Sequence, residues 1–351
     1  MTTQAEPQIN VAVLGAGGLG KAAARIVAMK QEMRLSAICD SQGFVASPDG
    51  LDGQALAELT GDLVDGYRRR CAQADQGSAT AGGVATEVEA RHCDDPIGAI
   101  LSSAQPLEAV LIALPNLPNE FIPEVIERFV RAERSLVFVD VLKRTRAVEQ
   151  MFARDALVRR ARSVVLTGCG ATPGVLAAAA VLAAQSFIEV EKVDIWWGVG
   201  IANWEAYQAT IREDIAHLPG YTVERAKAMS DEQVSALLDR TNGLLELRHM
   251  EHADDLLLQR VGVVEERAQV EVGGVMDTRH PKKPVSTTMT LTGITFEGRR
   301  SSHTFTLGDE TTMAANVIGP ALGYLKRGVW LKAHGLFGVF GCTEFLPMVV
   351  R

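Results

Sequence analysis

The segment Val11 to Gly20, VAVLGAGGLG, constrains the fold more tightly than anything else in the chain. Ile9 to Leu14 is an apolar run of strand length, and a helical segment from about Leu19 to Lys30 follows the glycine turn. Gly15-x-Gly17-x-x-Gly20 between a strand and a helix matches the dinucleotide fingerprint. Gly15 permits the tight turn, Gly17 lets backbone approach a pyrophosphate, and Gly20 lets helix pack on strand, with Gly18 and Leu19 opening the helix whose amino terminus attracts anions. Asp40 closes the second predicted strand, Leu35 to Cys39, where a carboxylate accepts a ribose hydroxyl and repels a 2′-phosphate. NAD is therefore the expected cofactor, with NADP as the alternative. A strand-end turn former is the other reading of Asp40.

Further strands are predicted at Leu107 to Leu114, Ser135 to Leu142 and Ser163 to Thr167, each apolar on both faces and separated by helical stretches. That is the pattern of a parallel sheet covered on both sides. The expected fold class is α/β, a doubly wound Rossmann sheet followed by an α+β domain with a mixed or antiparallel sheet. Residues 1–170 form the first domain, residues 171–320 the second, and residues 321–351 a segment returning to the first. Strand-like stretches of the second domain are Val190 to Trp197, Val261 to Val272, Ser286 to Thr295 and Ser301 to Leu307, with helices around Ile211, Glu232 and Ala314. Residues 41–86 read as an insertion, helical from Gln54 to Cys71 and a mobile loop near Gly77 to Gly83.

Three groups of residues sit where open α/β sheets place their ligands, at the carboxyl ends of strands. Leu114-Pro115-Asn116 either lines a nicotinamide ribose or is a plain strand-to-helix turn. Lys143 follows the strand ending at Asp140; it is placed to polarise a carbonyl or exchange a proton, or else is a solvated lysine beside Arg144 and Arg146. In Gly168-Cys169-Gly170-Ala171-Thr172-Pro173-Gly174, the free amides of a glycine-rich loop suit a carboxylate or a cofactor amide, so Gly170 and Pro173 join the cofactor set. Cys169 before a helix is either a nucleophile or a small side chain in a crowded turn.

The formal charge of −8 argues against nucleic acid or an anionic membrane as partner, and five cysteines without a C-x-x-C pair suit a reducing cytoplasm better than a disulfide framework. The longest apolar run, Val175 to Ala184, is about half what a membrane span requires. His249 and His252 lack a third ligand at metal spacing, so no metal is expected. Arg279 to Lys283 is a basic turn suited to substrate carboxylates or simply solvated. A small, carboxylate-bearing substrate and a homo-oligomeric assembly complete the expectation.

The chain resembles the saccharopine dehydrogenase-like and homoserine dehydrogenase-like oxidoreductases. The likeness rests on VAVLGAGGLG, on Asp40 with Gly50-Leu51-Asp52, on Lys143, on residues 168–174, and on the helix after Gly308 to Thr312. The asparagine usual before the lysine is Leu142 here. The resemblance implies an NAD(P)-dependent dehydrogenase or reductase moving hydride to or from an amino-acid-like carbonyl, imine or amine, with Lys143 as proton donor or acceptor. An acylating semialdehyde dehydrogenase using Cys169, and a non-catalytic NAD sensor, are the alternatives.

Overall fold

The computed structural model describes residues 8–77, 88–103, 106–116, 118–201, 204, 208–309 and 312–351. The loop expected near Gly77 to Gly83 lies largely outside them. Two sheets organise the chain. The first runs β13-β7-β6-β5-β1-β2-β3-β4, built from β1 (Ile9–Leu14), β2 (Met33–Cys39), β3 (Gly43–Ala46), β4 (Glu89–His92), β5 (Ala109–Ile112), β6 (Val137–Asp140), β7 (Val164–Thr167) and β13 (Gly338–Gly341). From β2 through β13 every pairing is parallel, while β3 and β4 add an antiparallel edge.

The parallel core follows from the residues. β5, β6 and β7 read AVLI, VFVD and VVLT and are buried throughout, as strands must be when helices cover both faces. The helix Phe121–Arg131 turns Ile122, Val125, Ile126, Phe129 and Val130 inward and its charged residues outward. The helix Met313–Ala333 lies on β5, β6 and β7. Its Gly328 makes that approach possible, since an added Cβ would stand 2.4 Å from Val137 Cγ1. Thr312 caps it by accepting from the Ala315 amide.

The second sheet, β12-β11-β8-β10-β9, comprises β8 (Phe187–Gly200), β9 (Leu244–Leu247), β10 (Val270–Asp277), β11 (Thr287–Thr295) and β12 (Arg300–Leu307). It is mixed: β8 and β10 are parallel and the other pairs antiparallel. The alanine-rich helix Val175–Ala184 packs against β8, β11 and β12. This is the α/β class and the Rossmann sheet followed by a mixed-sheet unit that the sequence predicts.

Two local readings need correction. Residues 41–86 are not merely an insertion, because β3 pairs with β2 and extends the sheet; Asp40 makes the reversal by accepting from the Gln42 and Gly43 amides at 2.8 and 3.0 Å. Nor is Val261 to Val272 one strand. The helix Asp254–Arg260 runs up to it, Gly262 takes a left-handed φ of +75°, and a 3₁₀ turn at Arg267–Gln269 delays the strand to Val270. No helix among the described residues is long and apolar enough to cross a membrane.

The glycine turn divides labour between its members. A Cβ at Gly20 would lie 1.7 Å from the Gly15 carbonyl oxygen, whereas one at Gly17 meets nothing within 4 Å. Gly20→Ala should therefore cost more than about 2 kcal/mol of stability by urea denaturation, and Gly17→Ala well under 1 kcal/mol. Equal losses would show that the turn does not pack in this way.

Candidate functional site

A cleft of about 730 Å³ opens at the carboxyl edge of the first sheet, where strand order reverses at β1. Gly15, Gly17, Gly18 and Leu19 line it from the first turn, Asp40 from the end of β2, and Leu114, Pro115 and Asn116 from the end of β5. Lys143 and Gly170 close its other side. Gly15 adopts φ +104°, and a Cβ there would stand 2.4 Å from the Ala113 carbonyl oxygen, so only glycine fits. Gly20 does not face the cleft; it acts at one remove by packing the helix onto the turn. Pro173 does not reach it either, being buried within its loop.

Asp140, the last residue of β6, organises the neighbouring loops. Its Oδ1 accepts from the Leu142 amide (3.1 Å), the Thr167 hydroxyl (3.0 Å) and the Gly168 amide (2.9 Å). One oxygen thus joins the Lys143 turn to the glycine-rich loop after β7. Burial pushes this carboxyl up to about 6 against the pull of those three hydrogen bonds. The loop's glycines serve its own closure: Gly174 stands against Gly170 so closely that a Cβ would lie 1.7 Å from the Gly170 oxygen.

Cys169 departs from the catalytic reading. It is fully buried, outside the cleft lining, with Sγ 3.6 Å from the Thr167 carbonyl. Burial pushes the thiol well above its ordinary value, the reverse of what a nucleophilic thiolate requires.

Lys143 is not a solvated lysine. Its ammonium lies 2.8 Å from Asp214 Oδ1 and 3.3 Å from Glu213 Oε2, with 18% of the side chain exposed. Both carboxylates come from the helix Gln208–Ile215, which follows β8, so a residue of the first sheet is held by two from the second unit. Burial alone would lower the lysine, but Asp214 and Glu213 outweigh it and hold Lys143 charged, above its usual value. Burial raises Asp214, with Lys143 opposing. Glu213 also accepts from the Asn116 amide at 2.9 Å, bringing the loop after β5 to the same point.

A second cavity of about 140 Å³ shares Lys143, Ala171, Thr172 and Val317 with the cleft and extends away between Trp197, Met250, Met276 and Leu307. His252 and Asp214 also face it. His252 is 3% exposed, with Nδ1 2.6 Å from Asp254 Oδ2; the Thr172 hydroxyl donates to that same oxygen at 2.7 Å. A carboxylate on one ring nitrogen fixes the imidazole and leaves the other for proton transfer. His249, by contrast, is exposed against Glu271, so the two histidines do not form one site. Arg279 pairs with Asp239 and stands at an exposed turn, away from both cavities.

Among the described residues, buried side-chain atoms without a hydrogen-bond partner include Asn116 Oδ1 of the cleft lining, Asp140 Oδ2, Arg144 Nε and Nη2 and Asp254 Oδ1 of the loops around Lys143, and also Asn119 Oδ1, His217 Nε2 and Thr295 Oγ1. Such atoms are rare in folded interiors, where water, an ion or a ligand meets their need. Sequence reasoning missed Glu213, Asp214 and Asp254, and weighed His252 only as a metal ligand beside His249. The adjacent acids at 213–214 and the His-x-Asp at 252–254 are visible, but only the fold brings them to Lys143.

No protein-family model matches the chain. It is 42% identical over 350 residues, 97% of its length and 99% of the relative's, to (S)-8-amino-7-oxononanoate synthase BioU of Haloferax mediterranei. Among solved structures it is similar to an engineered D-amino acid dehydrogenase bound to NADP+ (TM-score 0.54, 15% identity, 96% of this chain and 94% of that one). It is equally similar to C. glutamicum DAP dehydrogenase in complex with DAP (TM-score 0.54, 15% identity, 97% and 94%). At those identities the structures establish the fold, a Rossmann domain followed by an α/β domain. The expected dehydrogenase or reductase activity is overturned, since the relative of high identity is a synthase. The acylating alternative falls with it.

Asp140 gives this site a measurable signature. Its carboxyl titrates at about 6 in the fold against an ordinary 3.8, so the stability it contributes is whole below pH 3.8 and is lost as pH rises through about 6. The loss is about 3 kcal/mol. Asp140→Asn keeps the accepting oxygen and cannot ionise; relative to wild type it should gain that amount between pH 4 and pH 7 in urea melts. Parallel stability curves for the two proteins would overturn the assignment.

Proposed function

Because the chain belongs to the family of (S)-8-amino-7-oxononanoate synthase BioU, we propose that it is a synthase of that kind. The observation that carries this reading is Lys143 held between Glu213 and Asp214 at the junction of a dinucleotide-shaped cleft and an apolar cavity. 8-Amino-7-oxononanoate is a nine-carbon chain with a carboxylate at C1, methylenes at C2 to C6, a ketone at C7 and an amine at C8. Each part meets a complementary group. The apolar cavity takes methylenes, the Lys143 ammonium donates to the ketone oxygen, and Glu213 and Asp214 face the C8 ammonium.

The two carboxylates also govern the lysine's proton. Transfer of that proton from Lys143 to Asp214, a carboxyl already raised by burial, leaves a neutral amine, the form in which a lysine is nucleophilic. His252, oriented by Asp254, is the proton exchanger on the far wall. The residues of the larger cleft fit a nicotinamide dinucleotide: an open Gly17, a glycine-only Gly15, and a carboxylate at Asp40. When bound, that group supplies hydride exchange to the site. Asp40 favours NAD over NADP, since it would repel a 2′-phosphate.

The test follows the amount of 8-amino-7-oxononanoate by mass spectrometry in a cell extract that supplies co-reactants, with purified protein and NADH added. Wild type should raise that amount, and Lys143→Met should slow the rise by roughly 10²–10⁴-fold. Lys143→Arg, which keeps the charge but cannot give up its proton, should be equally slow. No rise with wild type would overturn the synthase reading; full rate in Lys143→Met would remove the lysine from the chemistry.

Cofactor choice has its own measurement. By calorimetry Asp40→Ala should bind NADH at least about tenfold more weakly, the loss of a charged hydrogen bond, while NADPH weakens less or tightens. A wild-type protein that binds NADPH more tightly than NADH would reverse the assignment.

A further inference from the structure

The end of the larger cleft away from Lys143 holds a charge pair that the proposed chemistry does not use. Sheet order fixes its place: Lys143 follows β6, Gly15 follows β1 and Asp40 follows β2, so the cleft runs along the sheet edge from the lysine to Asp40. The Cys93 amide, just past β4, donates to the Gln42 carbonyl at 3.0 Å, within the turn that Asp40 closes. That bond brings Asp94, Asp95, Pro96 and Ile97 to the Asp40 end, where all four line the cleft.

Asp95 has two partners there. Its Oδ1 accepts from the Gly98 amide at 3.0 Å and caps the helix Pro96–Ser102, while its Oδ2 holds Arg128 Nη2 at 2.6 Å. Arg128 and the Gly98 amide keep the carboxyl below its usual value, so it is ionised at neutral pH. Arg128 comes from the last turn of the helix Phe121–Arg131 and lines the cleft as well. The two side chains are 45% and 56% exposed, so water screens the pair and it adds little to folding.

Among the described residues that line the cleft, the cations are Lys143 and Arg128, and each is already engaged: Lys143 by Glu213 and Asp214, Arg128 by Asp95. The acids of the lining are Asp40, Asp94, Asp95 and Glu213, so the Asp40 end sets three carboxylates around one guanidinium. A 2′-phosphate seeks a guanidinium with free N–H donors. Here it would reach Arg128 only by displacing Asp95, and would then lie beside the carboxylate it displaced. An uncharged ribose hydroxyl makes no such demand.

We propose that Asp95 is a determinant of cofactor choice beside Asp40: by keeping Arg128 engaged, it denies the 2′-phosphate of NADP a cation at that end of the cleft. This rests on the reading of the cleft as a nicotinamide dinucleotide site, and it adds a second device to that reading. Asp40 repels the phosphate, whereas Asp95 withholds the attraction that would offset the repulsion. Asp95 acts through Arg128 and takes no part in bond making.

The experiment is calorimetric binding of NADH and NADPH to the full chain. Wild type should bind NADH more tightly. Asp95→Asn keeps the oxygen that caps the helix and loses the charge that holds Arg128, so the ratio of NADPH to NADH affinity should rise at least about tenfold, the worth of a hydrogen bond to a charged group. Asp95→Ser, another good cap without charge, gives the same reading should the asparagine variant not fold. Arg128→Gln alone should not lower that ratio, whereas added to Asp95→Asn it should remove the gain, a non-additivity that identifies Arg128 as the group released. An unmoved ratio in Asp95→Asn, a gain that survives Arg128→Gln, or a ratio lowered by Arg128→Gln alone would overturn the inference and leave the dinucleotide site standing. Wild type that prefers NADPH would overturn it together with the role given to Asp40. Wild type that binds neither dinucleotide would overturn the cofactor reading itself.

Discussion

A single buried oxygen, Oδ1 of Asp140, sets the geometry on which the rest of the site depends. Two parallel strands end side by side, and each must release its chain into a loop without leaving amides stranded in the interior. Accepting from Leu142, Thr167 and Gly168 meets that demand for both strands together. It also fixes the spacing between the turn that presents Lys143 and the loop that presents Gly170 to Thr172. The arrangement is maintained against a penalty, for the same burial that makes those hydrogen bonds strong disfavours the carboxylate that accepts them.

From that node the electrostatics of the centre follow. One ammonium faces two carboxylates, all largely out of water, so the trio carries a net negative charge. A second cation, Arg144, sits next in sequence with its own acid, and a third carboxylate steers His252. The centre therefore presents both signs of charge within a few side chains. Neither unit could offer this by itself, since the lysine and arginine leave the first sheet and the opposing acids come mainly from the second.

What the amino-acid order disclosed was the part built from local rules. Val11 to Gly20 specifies strand, turn and helix within ten residues, each glycine by its own steric demand, and Asp40, Asn116 and Lys143 are found at strand ends because buried runs are easy to delimit. The α/β class followed from the same runs. β3 and β4 escaped notice because strands of four residues carry too little pattern, and β4, the edge of the sheet, is mostly exposed. Glu213, Asp214 and His252 were hidden for another reason: they lie 70 residues or more from Lys143, and charge pairing across such a separation leaves no periodic trace. Cys169 shows the converse, where a suggestive sequence position is emptied of meaning by burial. The activity itself was misread, because the Rossmann pattern reports a cofactor-shaped cleft and says little about which reaction surrounds it.

The return of the chain to its first sheet has a consequence for how the protein comes into being. β13 pairs with β7, and every strand of the second sheet lies between them in sequence. During synthesis the edge of β7 must therefore stay unpaired while the whole second unit emerges from the ribosome, and the helix Met313–Ala333 that covers β5 to β7 arrives only just before the missing strand. Arg351 then fastens the closure: its amide donates to Glu32 at 2.7 Å and its carbonyl accepts from Gln31, while Lys326 holds the other oxygen of Glu32. A nascent chain stalled before residue 338 would expose a flat, valine-rich strand edge of the kind that chaperones cover and aggregates extend. The architecture makes residues 338–351 a latch between the first sheet and the turn before β2.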